Sequence, residues 1–163
     1  MVDQIRRQMI DYYAGKDTSQ IAHTLCVHEY TRTLAVQEQY DPRQIILLEI
    51  AALLHDVGCP ISKELYGNSL PVNQEREGAK ITSEWLGKYG ELSEEEVKWI
   101  TDTVGAHHQF AKARELGFET LFEADLIVNL FEGYYKKENA RTYFDKLVTT
   151  SAGRGLFTTL FLM

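Results

Sequence analysis

Apolar positions along the chain recur at three- and four-residue intervals, and no segment alternates with the period of two that a half-buried strand shows. The pattern predicts an all-α bundle of about six to seven helices. A first helix spans about Val2 to Tyr13, with Ile5, Met9 and Tyr12 or Tyr13 on one face, and Gly15-Lys16-Asp17-Thr18 ends it. Thr18 or Ser19 caps a long second helix reaching about Gln39, in which Ile21, Leu25, His28 and Ala35 share a stripe, so that His28 points inward. Asp41-Pro42 opens a third helix, a capping side chain followed by proline at the first helical position. Ile45, Leu48, Ala52 and His55 form its core face, and Gly58 and Pro60 stop it.

The run from Cys59 to Asn73 is rich in turn formers and is expected to be a loop. A fourth helix follows from about Gln74 to Tyr89, with Ala79, Ile81 and Trp85 inward. Ser93 and Glu96 have the spacing of a capping box for a fifth helix, along which Val97, Ile100 and Val104 lead to His107-His108. The sixth, near Thr120 to Tyr134, carries the most apolar stretch of the chain and holds Asp125 in its middle. A seventh runs from about Glu138 to Thr149; Ser151-Ala152-Gly153-Arg154-Gly155, which lacks the lysine of a phosphate loop, is expected to end it ahead of a short apolar tail. Nothing divides the chain, so residues 1–163 read as one domain, with a core over about 21–131 and C-terminal helices 132–163 packed on it.

Composition agrees with a packed domain. At 163 residues, with 44% apolar and 11% aromatic content, the chain can bury a sizeable core, and no uninterrupted apolar run approaches the roughly 18 residues of a membrane helix. The N-terminus lacks the basic-then-apolar order of a secretory signal and the two cysteines, Cys26 and Cys59, make no disulfide framework; a cytoplasmic protein is expected. A net charge of −7 argues against a polynucleotide partner, because the phosphate backbone rewards concentrated Lys and Arg.

The chemistry lies in polar residues placed on apolar faces. His55-Asp56 closes the run Ala51-Ala52-Leu53-Leu54, His28 sits on the inner stripe of its helix, and Asp125 is flanked by Ala124 and Leu126-Ile127-Val128. A buried carboxylate costs several kcal/mol unless it is paired, hydrogen-bonded or metal-bound. Two imidazoles and two carboxylates from three helices suit a divalent transition ion such as Fe, Mn, Co, Ni or Zn, and the lack of a nearby Cys pair disfavours a structural zinc site. The alternative for each is a satisfied core residue, with His28 bonded to a backbone carbonyl or Asp125 paired with Arg32.

The dyad within Leu-Leu-His-Asp-Val-Gly, the inward histidine upstream and the buried aspartate in Ala124-Asp125-Leu126-Ile127-Val128-Asn129 together resemble the HD-domain metal-dependent phosphohydrolase superfamily, over about Ile21 to Phe131. The resemblance implies that His28, His55, Asp56 and Asp125 ligate the metal, most simply one per chain. It also implies that Asp56 helps orient the attacking water. Some subfamilies hold a second metal through further histidines; His107 or His108 would supply one, but Gln74 stands where another is expected, and Glu75 and Glu77 read as solvated acids. Arg32, one turn beyond His28, is the first candidate for a catalytic phosphate contact, followed by Lys63, Arg76, His107 and His108 as substrate-binding groups. The expected partner is a small phosphorylated metabolite, first of all a nucleotide, with a homodimer allowed and no membrane. Alternatives are a di-iron oxygenase of the same fold and a non-catalytic metal-containing ligand-binding domain.

Overall fold

In a computed structural model describing residues 1–163, ten α-helices and one 3-10 turn account for all regular structure, and there is no strand. The helices are α1 (Val2–Ala14), α2 (Ser19–Gln37), α3 (Pro42–Leu54), α4 (Gly58–Tyr66), α5 (Pro71–Leu86), α6 (Glu94–Val104), α7 (Phe110–Leu116) and α8 (Glu119–Glu132). The 3-10 turn Lys137–Asn139 then leads to α9 (Ala140–Leu147) and α10 (Ser151–Phe161). The all-α class read from periodicity holds; the helix count is higher, for reasons visible at three joints.

Pro60 does not stop α3. The chain turns at His55–Val57, and Gly58-Cys59-Pro60 forms the first turn of α4, where proline's missing N–H costs nothing because that donor has no intrahelical partner. The expected loop over Cys59–Asn73 is therefore mostly helix, with a short connection at 67–70, and α5 begins at Pro71 rather than Gln74. Gly58 lies so close to α5 that a Cβ there would sit 2.0 Å from the Gln74 carbonyl oxygen and 2.5 Å from the Gly78 nitrogen. The stretch Pro42–Tyr66 is long and apolar enough to cross a membrane by composition, but 67% of its most apolar window is buried, as befits core helices.

The second surprise is α10. Two glycines weaken helix propensity there, yet the helix forms because its N-terminus receives an anion from within the fold. Glu123 of α8, 1% exposed, accepts hydrogen bonds from the Thr149 and Thr150 amides at 2.7 and 2.9 Å and from the Thr150 hydroxyl at 2.5 Å. Gly153 leaves room for that carboxylate, since a Cβ would meet its Oε2 at 1.9 Å. Within Ser151–Gly155 itself the Ala152 amide donates to Glu38 Oε1 of the α2 end at 2.6 Å, so both carboxylates at this helix start are the protein's own. The third joint is the short α7, which follows the two histidines and ends at Gly117 in the left-handed region.

Capping at two other ends follows expectation, but at α2 neither Thr18 nor Ser19 caps: Thr18 makes no side-chain cap bond, and Asp17 Oδ1 accepts the Ser19 amide at 3.2 Å. Asp41 accepts the Arg43 amide at 2.8 Å, and Ser93 and Glu96 form a reciprocal capping box. The Arg43 guanidinium also holds the Glu96 carboxylate in two hydrogen bonds of 2.6 and 2.7 Å, tying the start of α3 to the start of α6. The main core gathers residues of α1, α2, α3, α6 and α8 around Met9, Leu34, Leu53 and Ile100, and a second cluster around Phe144 and Phe157 joins α9 and α10 to α8. The central helix α2 packs against both α3 and α8, so it is buried on more than one side.

Candidate metal centre

Four ligand-type side chains converge where α2, the α3–α4 turn and α8 meet. His23 Nε2 lies 3.3 Å from His55 Nε2, 3.4 Å from Asp56 Oδ2 and 3.2 Å from Asp125 Oδ1. His55 Nε2 lies 3.4 Å from Asp56 Oδ2 and 3.6 Å from Asp125 Oδ1. Donors held about 2.1 Å from one ion in tetrahedral array are about 3.4 Å apart, so His23, His55 and Asp56 have the spacing of a shared divalent cation, with Asp125 Oδ1 beside both imidazoles. All four residues are at most 9% exposed.

Supporting contacts orient the donors. His55 donates Nδ1–H to the Ala52 carbonyl at 2.7 Å, which turns its Nε2 lone pair inward. His23 Nδ1 meets Glu132 Oε2 at 2.9 Å, the carboxylate–imidazole pairing that fixes a ligand's tautomer and raises its basicity. Asn129, one turn after Asp125, donates to Asp125 Oδ1 at 2.9 Å. Burial opposes charge on both aspartates, yet His55 and His107 hold Asp56 well below the usual carboxylate range, and His23 and His55 do the same for Asp125. Burial likewise opposes a proton on His55, but Asp56 and Asp125 raise its pKa well above the ordinary histidine value. The cluster is thus two anionic carboxylates that draw positive charge to the point between them.

A second donor group adjoins the first. His107, 2% exposed, gives Nδ1–H to the Val104 carbonyl at 2.9 Å and presents Nε2 to Asp56 Oδ1 at 3.3 Å. Burial and the neighbouring His108 push its pKa down, against the pull of Asp56, and Nε2 has no hydrogen-bond partner. Asp56, His107 and His108 offer donor atoms close enough to hold an ion, as do His23, His55 and Asp56.

The structure corrects the first expected ligand. His28 points away from His55-Asp56: its Nε2 lies 3.0 Å from Glu49 Oε1 on α3 and 3.4 Å from the Arg6 guanidinium on α1. His23, five residues earlier and so well round the helix, takes the place assigned to it. Arg32 follows His28 to the wrong face, 3.6 Å from Glu49, and does not line the cleft above the cluster. Arg76 is also removed, bonded to Asn73 at 3.1 Å and Glu77 at 3.3 Å with its guanidinium over Tyr66. Lys63 and His108 do line the cleft, as do Asp56 and Asp125. Glu75 and Glu77 are buried rather than solvated, at 5% and 6% exposure. Glu75 accepts the His108 amide at 2.9 Å and lies 3.2 Å from His108 Nδ1, while Glu77 meets Lys80 and the Tyr66 hydroxyl. Gln74, in place of a histidine, lines the cleft with its Nε2 3.3 Å from the His108 ring.

The cleft measures about 1000 Å³ and reaches the cluster at His23, Asp56 and Asp125. Lys63 is the sole Lys or Arg on its walls, and it lies 3.2 Å from Asp17 at the rim.

This all-helical bundle gathers two histidines and two aspartates from α2, the α3–α4 turn and α8 at the foot of a cleft, a set of donors that could hold a metal ion. The chain matches the HD domain family over residues 21–142 and belongs to it. No curated protein and no solved structure shows a significant match to the chain.

Proposed function

We propose that this HD domain is a metal-dependent phosphohydrolase for a small phosphorylated metabolite, with nucleotides the first substrates to test. The observation that carries the reading is the mutual spacing of the His23, His55, Asp56 and Asp125 donor atoms, 3.2–3.6 Å over the five pairs given above. These four residues would hold a divalent transition ion. Such an ion lowers the pKa of a water toward neutrality and polarises a phosphoryl oxygen.

The chain's own groups supply the rest. Asp56 directs Oδ2 at the cluster and leaves Oδ1 toward His107, so it can ligate through one oxygen and orient an attacking water through the other. Lys63 faces the cleft and can meet a non-bridging phosphate oxygen. With one basic side chain on the walls, the cleft suits a monophosphate ester better than a polyphosphate, whose several charges call for several cations.

A two-ion centre is the second reading, favoured by the unpartnered His107 Nε2 at 3.3 Å from Asp56 Oδ1. Elemental analysis of the purified protein and of His23→Ala and His28→Ala, alongside phosphate release from a panel of nucleotides and sugar phosphates, tests both. The expected result is about one transition ion per chain, lost in His23→Ala and kept in His28→Ala, with metal-dependent phosphate release. Undiminished phosphate release by metal-stripped protein would overturn the mechanism. Two irons per chain without phosphate release would replace it with oxygenase chemistry.

A further inference from the structure

Behind the metal centre lies a second chamber of about 230 Å³, which shares Asp125, His108 and Tyr135 with the polar cleft. Apart from His107, its remaining walls are of a different kind. Phe110 at the start of α7, Phe122 and Leu126 on α8, and Tyr143 and Leu147 on α9 surround it together with Tyr135. Two aromatic pairs frame the space, Phe110–Phe122 and Tyr135–Tyr143, each with ring centroids 5.6 Å apart. Leu126 at 4% and His107 at 2% exposure form its floor beside the metal centre, while Tyr135, 37% exposed, stands on the side that opens to solvent.

From this continuity we infer that the chamber is a specificity pocket that takes an aromatic ring carried by the substrate, while the phosphoryl group sits at the metal centre. The inference rests on the phosphohydrolase reading for the position of the phosphoryl group. Three observations select a ring. An apolar cavity of about 150 Å³ is enough to hold benzene, so 230 Å³ accommodates a single ring with its linking atom. Aromatic walls favour offset or edge-on contact with a further ring at centroid spacings of about 4.5–7 Å. Asp125 belongs both to the ligand cluster and to the chamber wall, so a ring in the chamber is one short link from a phosphoryl group at the metal. A charged or strongly hydroxylated group would lose its hydration against Phe110, Phe122, Leu126 and Leu147.

Binding of two non-hydrolysable probes, phenylphosphonate and methylphosphonate, to the metal-loaded protein tests this by calorimetry. The ring is expected to tighten binding at least about tenfold, from the apolar area it removes from water. In Leu147→Trp, which fills the chamber from α9, phenylphosphonate is expected to fall to the affinity of methylphosphonate. The wild-type comparison decides even if that variant fails to fold. Equal binding of the two probes overturns the pocket, and a ring preference that survives in folded Leu147→Trp overturns it too, placing the ring in the open cleft. Binding of neither probe overturns the pocket and the hydrolase reading together. A ring preference in a protein that releases no phosphate from any ester leaves the pocket standing and removes the hydrolase reading alone.

Discussion

Substituting Gly58 by alanine is expected to damage both the fold and the metal centre, because the position lies two residues after Asp56 and directly against α5. A Cβ there would stand 2.0 Å from the Gln74 carbonyl oxygen, and carbon–oxygen contacts settle at about 3.3 Å, so the helices must separate by about 1.3 Å. Backbone lies on the other side of the contact, so no rotamer change relieves it. Overpacking costs about 1–3 kcal/mol where side chains can adjust, and here the upper end applies, about 3 kcal/mol. For a chain of this length that is a fall in melting temperature of about 6–12 °C. The displaced segment carries Glu75, whose bond to the His108 amide is 2.9 Å, and Gln74 on the cleft wall, so metal affinity should fall as well. Gly15→Ala is the control, since nothing lies within 4 Å of its added Cβ. Thermal melts followed by circular dichroism, with metal titration of each variant, supply the measurement. If Gly58→Ala melts within about 2 °C of the wild type, the contact is not the constraint described and the reasoning fails.

Other expectations follow from single contacts. Glu132→Gln weakens the support of His23 and should reduce metal affinity about 10- to 100-fold in a chelator competition, while His23→Ala should abolish it. His28 is pushed down to about 4 by burial and by Arg6, so between pH 4 and its ordinary value of 6.5 the unfolded chain binds the extra proton. Stability is therefore full above pH 6.5 and is lost as pH falls toward 4, by on the order of 1–3 kcal/mol, burial and Arg6 outweighing the carboxylates of Glu29 and Asp3. A His28→Gln variant should flatten that slope in melts across the range; an unchanged slope would assign it to other groups. Glu123→Ala leaves the amides of Thr149 and Thr150 without their acceptor and should cost about 2–3 kcal/mol, read as early proteolysis within α10. Cleavage at wild-type rates would remove Glu123 as the anchor of that helix.

Much of the bundle is legible in local pattern, because caps and periodic apolar faces act over one or two turns. Asp41-Pro42 and Ser93–Glu96 start helices where their chemistry places them. The joints that mislead are those where local propensity yields to packing. Pro60 reads as a stop and opens α4, and the glycines of α10 read as the end of the preceding helix and instead start a helix beside Glu123.

At the candidate metal centre, the sequence by itself pointed to the His55-Asp56 dyad and Asp125, since polar groups flanked by apolar residues have few other ways to be buried. It offered His28 and passed over His23. Helix α2 buries His23, Thr24, Val27, His28, Thr31, Leu34 and Ala35, a wider face than the stripe of Ile21, Leu25, His28 and Ala35, and His23 lies outside that stripe. Only tertiary structure decides which neighbour each side meets: α8 and the α3–α4 turn bring carboxylates to His23, while α1 and α3 bring Arg6 and Glu49 to His28. Periodicity reports that a face is buried, and the identity of the partner depends on helix packing among residues as far apart as His23 and Glu132.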